Sequence, residues 1–312
     1  MVESYPKTIL ELERWFATDD ACREYLYQLR WPTGFVCPKC HETSAWPASR
    51  GRFVCRSRHQ TSVTAGTIFE NTRKPLTLWF RAIWYVTSQK NGASASNLQQ
   101  ILGLRSYQTA WTWMHKLRRA MVRPGREKLT GIVEVDETYV GGEDPKDGTW
   151  VEQKAIVVIA AEEDGTGIGR IRMATVPRRT RKNLQGFVQE MIKIGSVVHT
   201  DGFHAYRGID AFGYKHRKTV ISRQKEKNSA SILLPRVHRV ASLMKRWLLG
   251  THQGAVSASH LDYYLDEYTF RFNQRTSRSR GKLFYRLLQQ AVEIAPTTYR
   301  SMVGGTGETP KH

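Results

Sequence analysis

Ile132-Val-Glu-Val-Asp136-Glu-Thr-Tyr-Val140 and Val197-Val-His-Thr-Asp201-Gly202 are two β-rich runs, and each carries an aspartate. Side chains alternate along a strand, so Val133 and Val135 share one face of the first run while Glu134 and Asp136 share the other. An acid in an otherwise apolar strand is costly to bury unless a partner charge or a metal answers it. In the second run the apolar stretch ends at Asp201, where the strand gives way to a turn. Alone, either aspartate reads as structural, Asp201 as a turn or cap residue. Together they point to a pair of ligands for divalent metal.

The sequence between and around these runs sets their context. Ala155 to Ala161 and Ile168 to Val176 are further β-rich runs, separated by acidic, Gly-containing loops, and Asn183 to Ile194 is an amphipathic helix. The order is therefore strand, strand, strand, helix, strand. Arg236 to Leu249 and Ser259 to Asn273 are helical. The second places Leu261, Tyr264, Leu265, Tyr268 and Phe272 on one face.

Upstream the pattern is different. Thr8 to Phe16 and a run through Cys22, Tyr25, Leu26 and Leu29 are helical, with Cys22 a small hydrophobe on the apolar stripe. Trp31-Pro-Thr-Gly34 breaks the second helix, and short β-prone runs follow at Gly34 to Cys37 and Arg52 to Cys55. Cys37-Pro-Lys-Cys40 has the two-residue gap that lets both thiolates reach one Zn²⁺. The partner knuckle has Cys55, but Arg58 stands where a fourth cysteine is expected. The nearest donor is His59, so the expected site is Cys37, Cys40, Cys55 and His59, with His41 as the alternative fourth ligand. From Pro75 the chain is helical again. Ser94 to Leu102, a turn at Gly103 and a helix capped by Ser106 outline a helix-turn-helix, whose Lys116, Arg118 and Arg119 are expected to meet phosphates.

Composition narrows the function. The 312 residues carry 48 Lys and Arg against 28 Asp and Glu, a formal charge of +20. With 40% hydrophobic residues the chain can build two or three domain cores, which excludes global disorder. No run approaches the roughly 18 apolar residues of a membrane span, and the acidic, amphipathic first segment does not resemble a signal peptide. A cytoplasmic, nucleoid-associated protein is expected. The basic excess suits a polyanion, with nucleic acid ahead of a membrane surface because no basic amphipathic helix with an exposed apolar face stands out.

Several motifs in order carry a family resemblance: RWPTGFVCPKC from Arg30, HQTSVTAGTIFE from His59, PLTLWFRAIWYVTSQKNGASASNLQQILGLRSYQTAW from Pro75, VEVDETYVGG from Val133, HTDGFHAYRGI from His199 and LDEYTFRFNQR from Leu265. Together they resemble bacterial insertion-sequence transposases of the ISXO2-like group, which join an N-terminal zinc ribbon to a DDE-type nuclease domain of RNase H-like fold. The resemblance implies that Asp136 and Asp201 hold two Mg²⁺ or Mn²⁺ ions. It also implies a third ligand at the start of a later helix, seven residues before a lysine. Lys245 points back to His238, in Leu234-Pro-Arg-Val-His238. An imidazole departs from the three-carboxylate pattern and adds no negative charge, so Mn²⁺ should be accepted more readily than by an all-oxygen site. Glu267 is the competing residue and is expected in a supporting salt-bridge or hydrogen-bond role. Arg271, Asn273 and Arg275 pair with it or contact DNA.

The expected architecture is α+β: N-terminal helices (1–30), zinc ribbon (31–72), helical DNA-binding segment (73–125), RNase H-like DDE-type catalytic domain (126–285) and C-terminal tail (286–312). Basic clusters at Arg178, Arg179, Arg181 and Lys182, and at Arg271, Arg275, Arg278, Arg280 and Lys282, are expected to form the DNA track. The expected function is a transposase that acts on double-stranded DNA, both transposon ends and target, as a homo-oligomer with no membrane partner. The alternative from another class is a zinc-ribbon and helix-turn-helix DNA-binding protein with an inactive nuclease-like domain. A third is a plain nuclease, which cuts but does not join.

Overall fold

The computed structural model describes residues 3–123, 125–141, 154–219, 233–254 and 256–303. The chain divides into two compact units, residues 1–123 with 277–312, and residues 124–276.

The first unit holds α1 (Ile9–Trp15), α2 (Asp19–Arg30), β1 (Ala45–Ala48), β2 (Arg52–Cys55), β3 (Gln60–Ser62), α3 (Leu76–Ser88), α4 (Ala95–Leu102) and α5 (Tyr107–Ala120). Thr8, Thr18 and Ser94 cap α1, α2 and α4 by accepting backbone N–H groups in the first turn. Gly103 ends α4 in the left-handed region at φ 60°, which a residue without Cβ adopts freely. Strands β1 to β3 form an antiparallel sheet in that order. Gly34 to Cys37, expected as a strand, is instead irregular, because the Cys37 N–H is spent on the Glu42 carbonyl in a knuckle at 2.8 Å.

The helical core of this unit is aromatic. Trp79 of α3 stacks on Trp113 of α5 at 3.8 Å, and Phe16 meets Phe80 edge-on at 4.6 Å. The expected C-terminal tail from residue 286 is corrected here. Residues 280–291 form a helix, α9 (Arg280–Ala291), whose Phe284, Leu287 and Leu288 are buried and pack on α3 and Phe16. The boundary expected after 285 falls inside it. A five-residue helix, α10 (Tyr299–Val303), follows. The rest of the expected tail, residues 304–312, lies outside the described residues.

The second unit holds β4 (Ile132–Val140), β5 (Ala155–Asp164), β6 (Gly167–Val176), α6 (Arg181–Met191), β7 (Val197–Thr200), β8 (Lys215–Lys218), α7 (Pro235–His252) and α8 (Leu261–Asn273). Its sheet runs β6-β5-β4-β7-β8, antiparallel from β6 to β4 and parallel from β4 to β8. This is a mixed sheet of RNase H-like order. Strand β8 was not anticipated, since Lys215-His-Arg-Lys218 has no apolar alternation. An edge strand needs none, and its lysines discourage pairing with another chain.

Alternation along the central strands builds two cores. Val133, Val135, Val158 and Ala160 pack under α6 with Leu184, Phe187 and Val188. Val157, Ile159 and Ala161 face the other way, against Val237, Val240 and Met244 of α7 and Tyr264, Leu265 and Tyr268 of α8. Each fully buried aliphatic side chain contributes about 1.5–3 kcal/mol. The face of β4 opposite Val133 and Val135 therefore looks toward α7, and this is the face that carries Glu134 and Asp136.

Candidate metal and DNA-processing site

The parallel ladder between β4 and β7 pairs Glu134 with His199, so two residues further along each chain Asp136 and Asp201 arrive at the same level. Pro235 is the first helical residue of α7, where its missing N–H costs nothing, and His238 follows in the next positions. His238 Nε2 lies 3.5 Å from Asp136 Oδ2. Asp136 Oδ1 also accepts the Glu137 N–H at 2.8 Å, and Asp201 accepts the Phe203 N–H at 2.9 Å within its own turn. The three donors do not all come within 4.8 Å of one another.

Burial dominates the electrostatics of the site. Burial pushes the Asp136 carboxyl up to about 7, with repulsion from Glu137 and Asp201 adding to it, against the Glu137 amide and the Arg179 charge. Burial pushes His238 below its ordinary value even though Glu134 and Asp201 pull the other way, so its imidazole is neutral at pH 7 with a lone pair to offer. Two carboxylates and one neutral imidazole, all partly open to solvent, are a donor set that suits a hard or borderline divalent cation.

Adjacent acids on one strand point to opposite faces, and Glu137 has its own partners. Its carboxylate accepts from Tyr206 Oη and, at 2.8 Å, from Arg179 Nε. Arg179 also lies 4.2 Å over the ring of Phe203. Expected as a DNA contact, Arg179 is thus committed within the fold. Glu137 and Tyr206 were not singled out in the sequence. The one signal was the Asp136-Glu137 pair, because two neighbouring strand acids need two separate partners.

Glu134 is fully buried. Its Oε2 accepts the N–H groups of Arg236 at 2.8 Å and Val237 at 3.0 Å, and its Oε1 accepts Arg236 Nη1 at 2.9 Å. Glu163 Oε1 lies 3.4 Å from the same nitrogen. Donor atoms of Glu134, Glu163 and His199 fall within 4.8 Å of one another. Arg236 already supplies the cation there.

Lys245 is exposed on α7, seven residues after His238. Glu267 is buried in α8 and accepts from Arg271 Nε at 2.8 Å. Arg275 lies 4.2 Å over the Phe272 ring and donates to the Phe272 carbonyl. The second basic cluster is divided: Arg271 and Arg275 belong to the second unit, and Arg278, Arg280 and Lys282 to the first. The expectation for α5 is corrected too. Lys116 is buried with its Nζ donating to the Ile68 carbonyl at 2.9 Å, and Arg118 is 2% exposed, which leaves only Arg119 of the three partly accessible.

In the first unit Cys37, Cys40, Cys55 and His59 have donor atoms within 4.8 Å of one another. Cys40 Sγ and Cys55 Sγ are 3.6 Å apart, and Cys37 Sγ and His59 Nδ1 3.9 Å. Two ligands about 2.3 Å from one tetrahedral Zn²⁺ would be about 3.8 Å apart. Burial alone would raise the Cys37 thiol, but the amides of Lys39 and Cys40 and the neighbouring thiols bring it down to about 6, toward the thiolate a metal needs. Arg58 sits at φ 61° and turns the second knuckle, so that the Cys55 N–H reaches the His59 carbonyl at 3.0 Å.

Residues 128–273 match the family model of the ISXO2-like transposase domain, and residues 17–60 match that of the transposase zinc-ribbon domain. A Halobacterium salinarum protein, described as an uncharacterized protein in transposable element ISH50, is 27% identical over 288 residues, which span 86% of this chain and 94% of that protein.

Proposed function

Given that residues 128–273 belong to the ISXO2-like transposase domain family and residues 17–60 to the transposase zinc-ribbon family, we propose that this transposase binds the terminal inverted repeats of an insertion sequence and performs metal-dependent cleavage and strand transfer. The observation that carries the reading is that the β4–β7 ladder brings Asp136, in the middle of β4, level with Asp201, just past the end of β7, with the His238 imidazole 3.5 Å from Asp136. Asp136 and Asp201 supply the negative charge that holds Mg²⁺ or Mn²⁺, and His238 adds a neutral nitrogen. Bound there, two ions would act as Lewis acids on both the attacking and the leaving oxygen of an in-line phosphoryl displacement. Lys245, exposed two turns beyond His238 on the same side of α7, holds a DNA phosphate. Glu267, paired with Arg271, supports α8 behind the sheet. Cys37, Cys40, Cys55 and His59 hold one structural Zn²⁺.

The chemistry is two successive displacements at phosphorus. Water forms the new P–O bond when the element end is cut, and the 3′ oxygen leaves. The freed 3′ hydroxyl then attacks a target phosphodiester, giving up its proton and forming the new P–O bond as the target's own 3′ oxygen leaves and takes up a proton. Two ends must be joined, so the protein works on DNA as a homo-oligomer.

Asp136→Asn and Asp201→Asn test the reading in the full-length chain. Each should lower end cleavage and strand transfer in Mg²⁺ by about 10³-fold or more, equivalent to ~4 kcal/mol of barrier. End binding in a mobility-shift assay should stay within about threefold. Strand transfer at the wild-type rate in either variant overturns the assignment. A wild-type protein that binds ends but neither cuts nor joins in Mg²⁺ or Mn²⁺ is instead a DNA-binding protein with an inactive nuclease-like domain.

A further inference from the structure

We propose that Glu134 is a positioning residue that clamps the first turn of α7 to the sheet and thereby sets His238 against Asp136. The proposal rests on the reading of His238 as the third metal donor. Glu134 is 0% exposed, in a place where an unanswered carboxylate is expensive. One of its oxygens accepts the N–H groups of Arg236 and Val237, which sit at the positive end of the helix and have no partner within it. Its other oxygen takes the Arg236 guanidinium at 2.9 Å. The same guanidinium donates to the carbonyls of Gly165 at 2.7 Å and Gly167 at 2.9 Å, in the turn between β5 and β6. Two neighbouring strands therefore hold the helix start.

The consequence follows from spacing. Glu134 and Asp136 are two residues apart on one face of β4, about 6.6 Å along the strand. Val237 and His238 are consecutive on α7. A carboxylate that fixes the Val237 N–H fixes where the next side chain emerges, and that side chain ends 3.5 Å from Asp136. Donors of Glu134, Glu163 and His199 also lie within 4.8 Å of one another, but a metal ion there would have to displace Arg236 from both carboxylates and two backbone amides from Glu134. The cluster is thus a clamp closed by a guanidinium, one step behind the site that takes the cation.

The test is a double-mutant cycle read by Mn²⁺ binding to the full-length chain, followed by calorimetry or by the paramagnetic resonance of free Mn²⁺, with thermal melting alongside. His238→Ala should weaken Mn²⁺ binding. Glu134→Gln should weaken it about tenfold in the wild-type background, as loss of an outer partner of a ligand does. In the His238→Ala background it should cost less than about twofold, because nothing is left to position. Arg236→Lys keeps the Glu134 charge and its two backbone donors. It should show a smaller loss with the same dependence on His238, and it replaces Glu134→Gln if that variant does not fold. Equal losses in both backgrounds, or no loss in either, overturn the clamp while leaving His238 a ligand. Unchanged Mn²⁺ affinity in His238→Ala overturns the donor role, and the clamp with it, so the two failures are told apart.

Discussion

Asp266 shows how strongly the surroundings of one side chain reset its chemistry. It sits in α8 beside Glu267, yet it lacks that neighbour's close arginine pair. Burial pushes its carboxyl up to about 8, Asp262 adds to the shift, and only the charge of Arg126 opposes it. The folded chain therefore keeps this proton at pH values where the unfolded chain, with an ordinary carboxyl near 3.8, has released it. The sign is fixed by that difference: the contribution to stability is full below about pH 4 and is lost progressively as the pH rises toward 8. Asp266→Asn, which keeps the shape and cannot ionise, should leave the melting temperature nearly unchanged at pH 4 and raise it at pH 8. Equal shifts at both pH values would mean that the carboxylate is charged and well paired in the fold. Glu134 and Glu137 make the complementary point. They are buried on opposite faces of one strand, and each is matched by its own arginine, Arg236 and Arg179.

At the scale of the element, the zinc ribbon is the clearest case of local geometry deciding chemistry. Its sheet has only three short strands, and its two knuckles bring donors from residues 37 to 59 together. A module this small buries little apolar surface, so bound metal should contribute much of its stability. We expect one zinc per chain on elemental analysis, lost in Cys40→Ser and in His59→Ala. Full zinc retention in His59→Ala would move the fourth ligand elsewhere, with His41, at φ 60° in the first knuckle, the next donor in line. Helix α9 shows a different constraint. A Cβ at Gly281 would lie 1.8 Å from the Pro6 carbonyl oxygen, so the N-terminal segment can cross this helix only where the side chain is absent.

For the whole molecule the governing quantity is the charge of +20. Part of it is spent internally, on Arg118, Arg172, Arg179, Arg236, Arg271 and Lys116. Arg178, Arg181 and Lys182 around the start of α6, and Arg280 and Lys282 in the first turn of α9, remain exposed. Cations are electrostatically misplaced at a helix N-terminus, typically by 0.3–1 kcal/mol each, and a phosphate would reverse that penalty. Binding to an inverted-repeat duplex should therefore fall steeply with salt, the slope of log K against log salt being about −0.9 per phosphate neutralised. Replacing Arg178, Arg181 and Lys182 with alanine should reduce that slope by up to about 2.7. An unchanged slope would remove the α6 cluster from the DNA contact.

The linear order of residues by itself determined the alternation of β4, the succession of strands and helix from β4 through β7, the cysteine knuckles and the basic excess, because each is written in spacings of a few residues or in composition. It also marked Asp136 and Asp201 as strand acids in need of an explanation. Only the tertiary structure decided which acids face which partners. The parallel β4–β7 ladder levels Asp136 with Asp201, and α7 brings Arg236 to Glu134 across 102 positions of chain. Packing within the first unit buried Lys116 and Arg118, which the helix-turn-helix outline alone would have sent to DNA, and drew residues 286–291 from the expected tail into a helix that buries Leu287, Leu288 and Ala291. The physical reason is that burial and pairing depend on distances through space between elements far apart in the chain, and no local spacing encodes them.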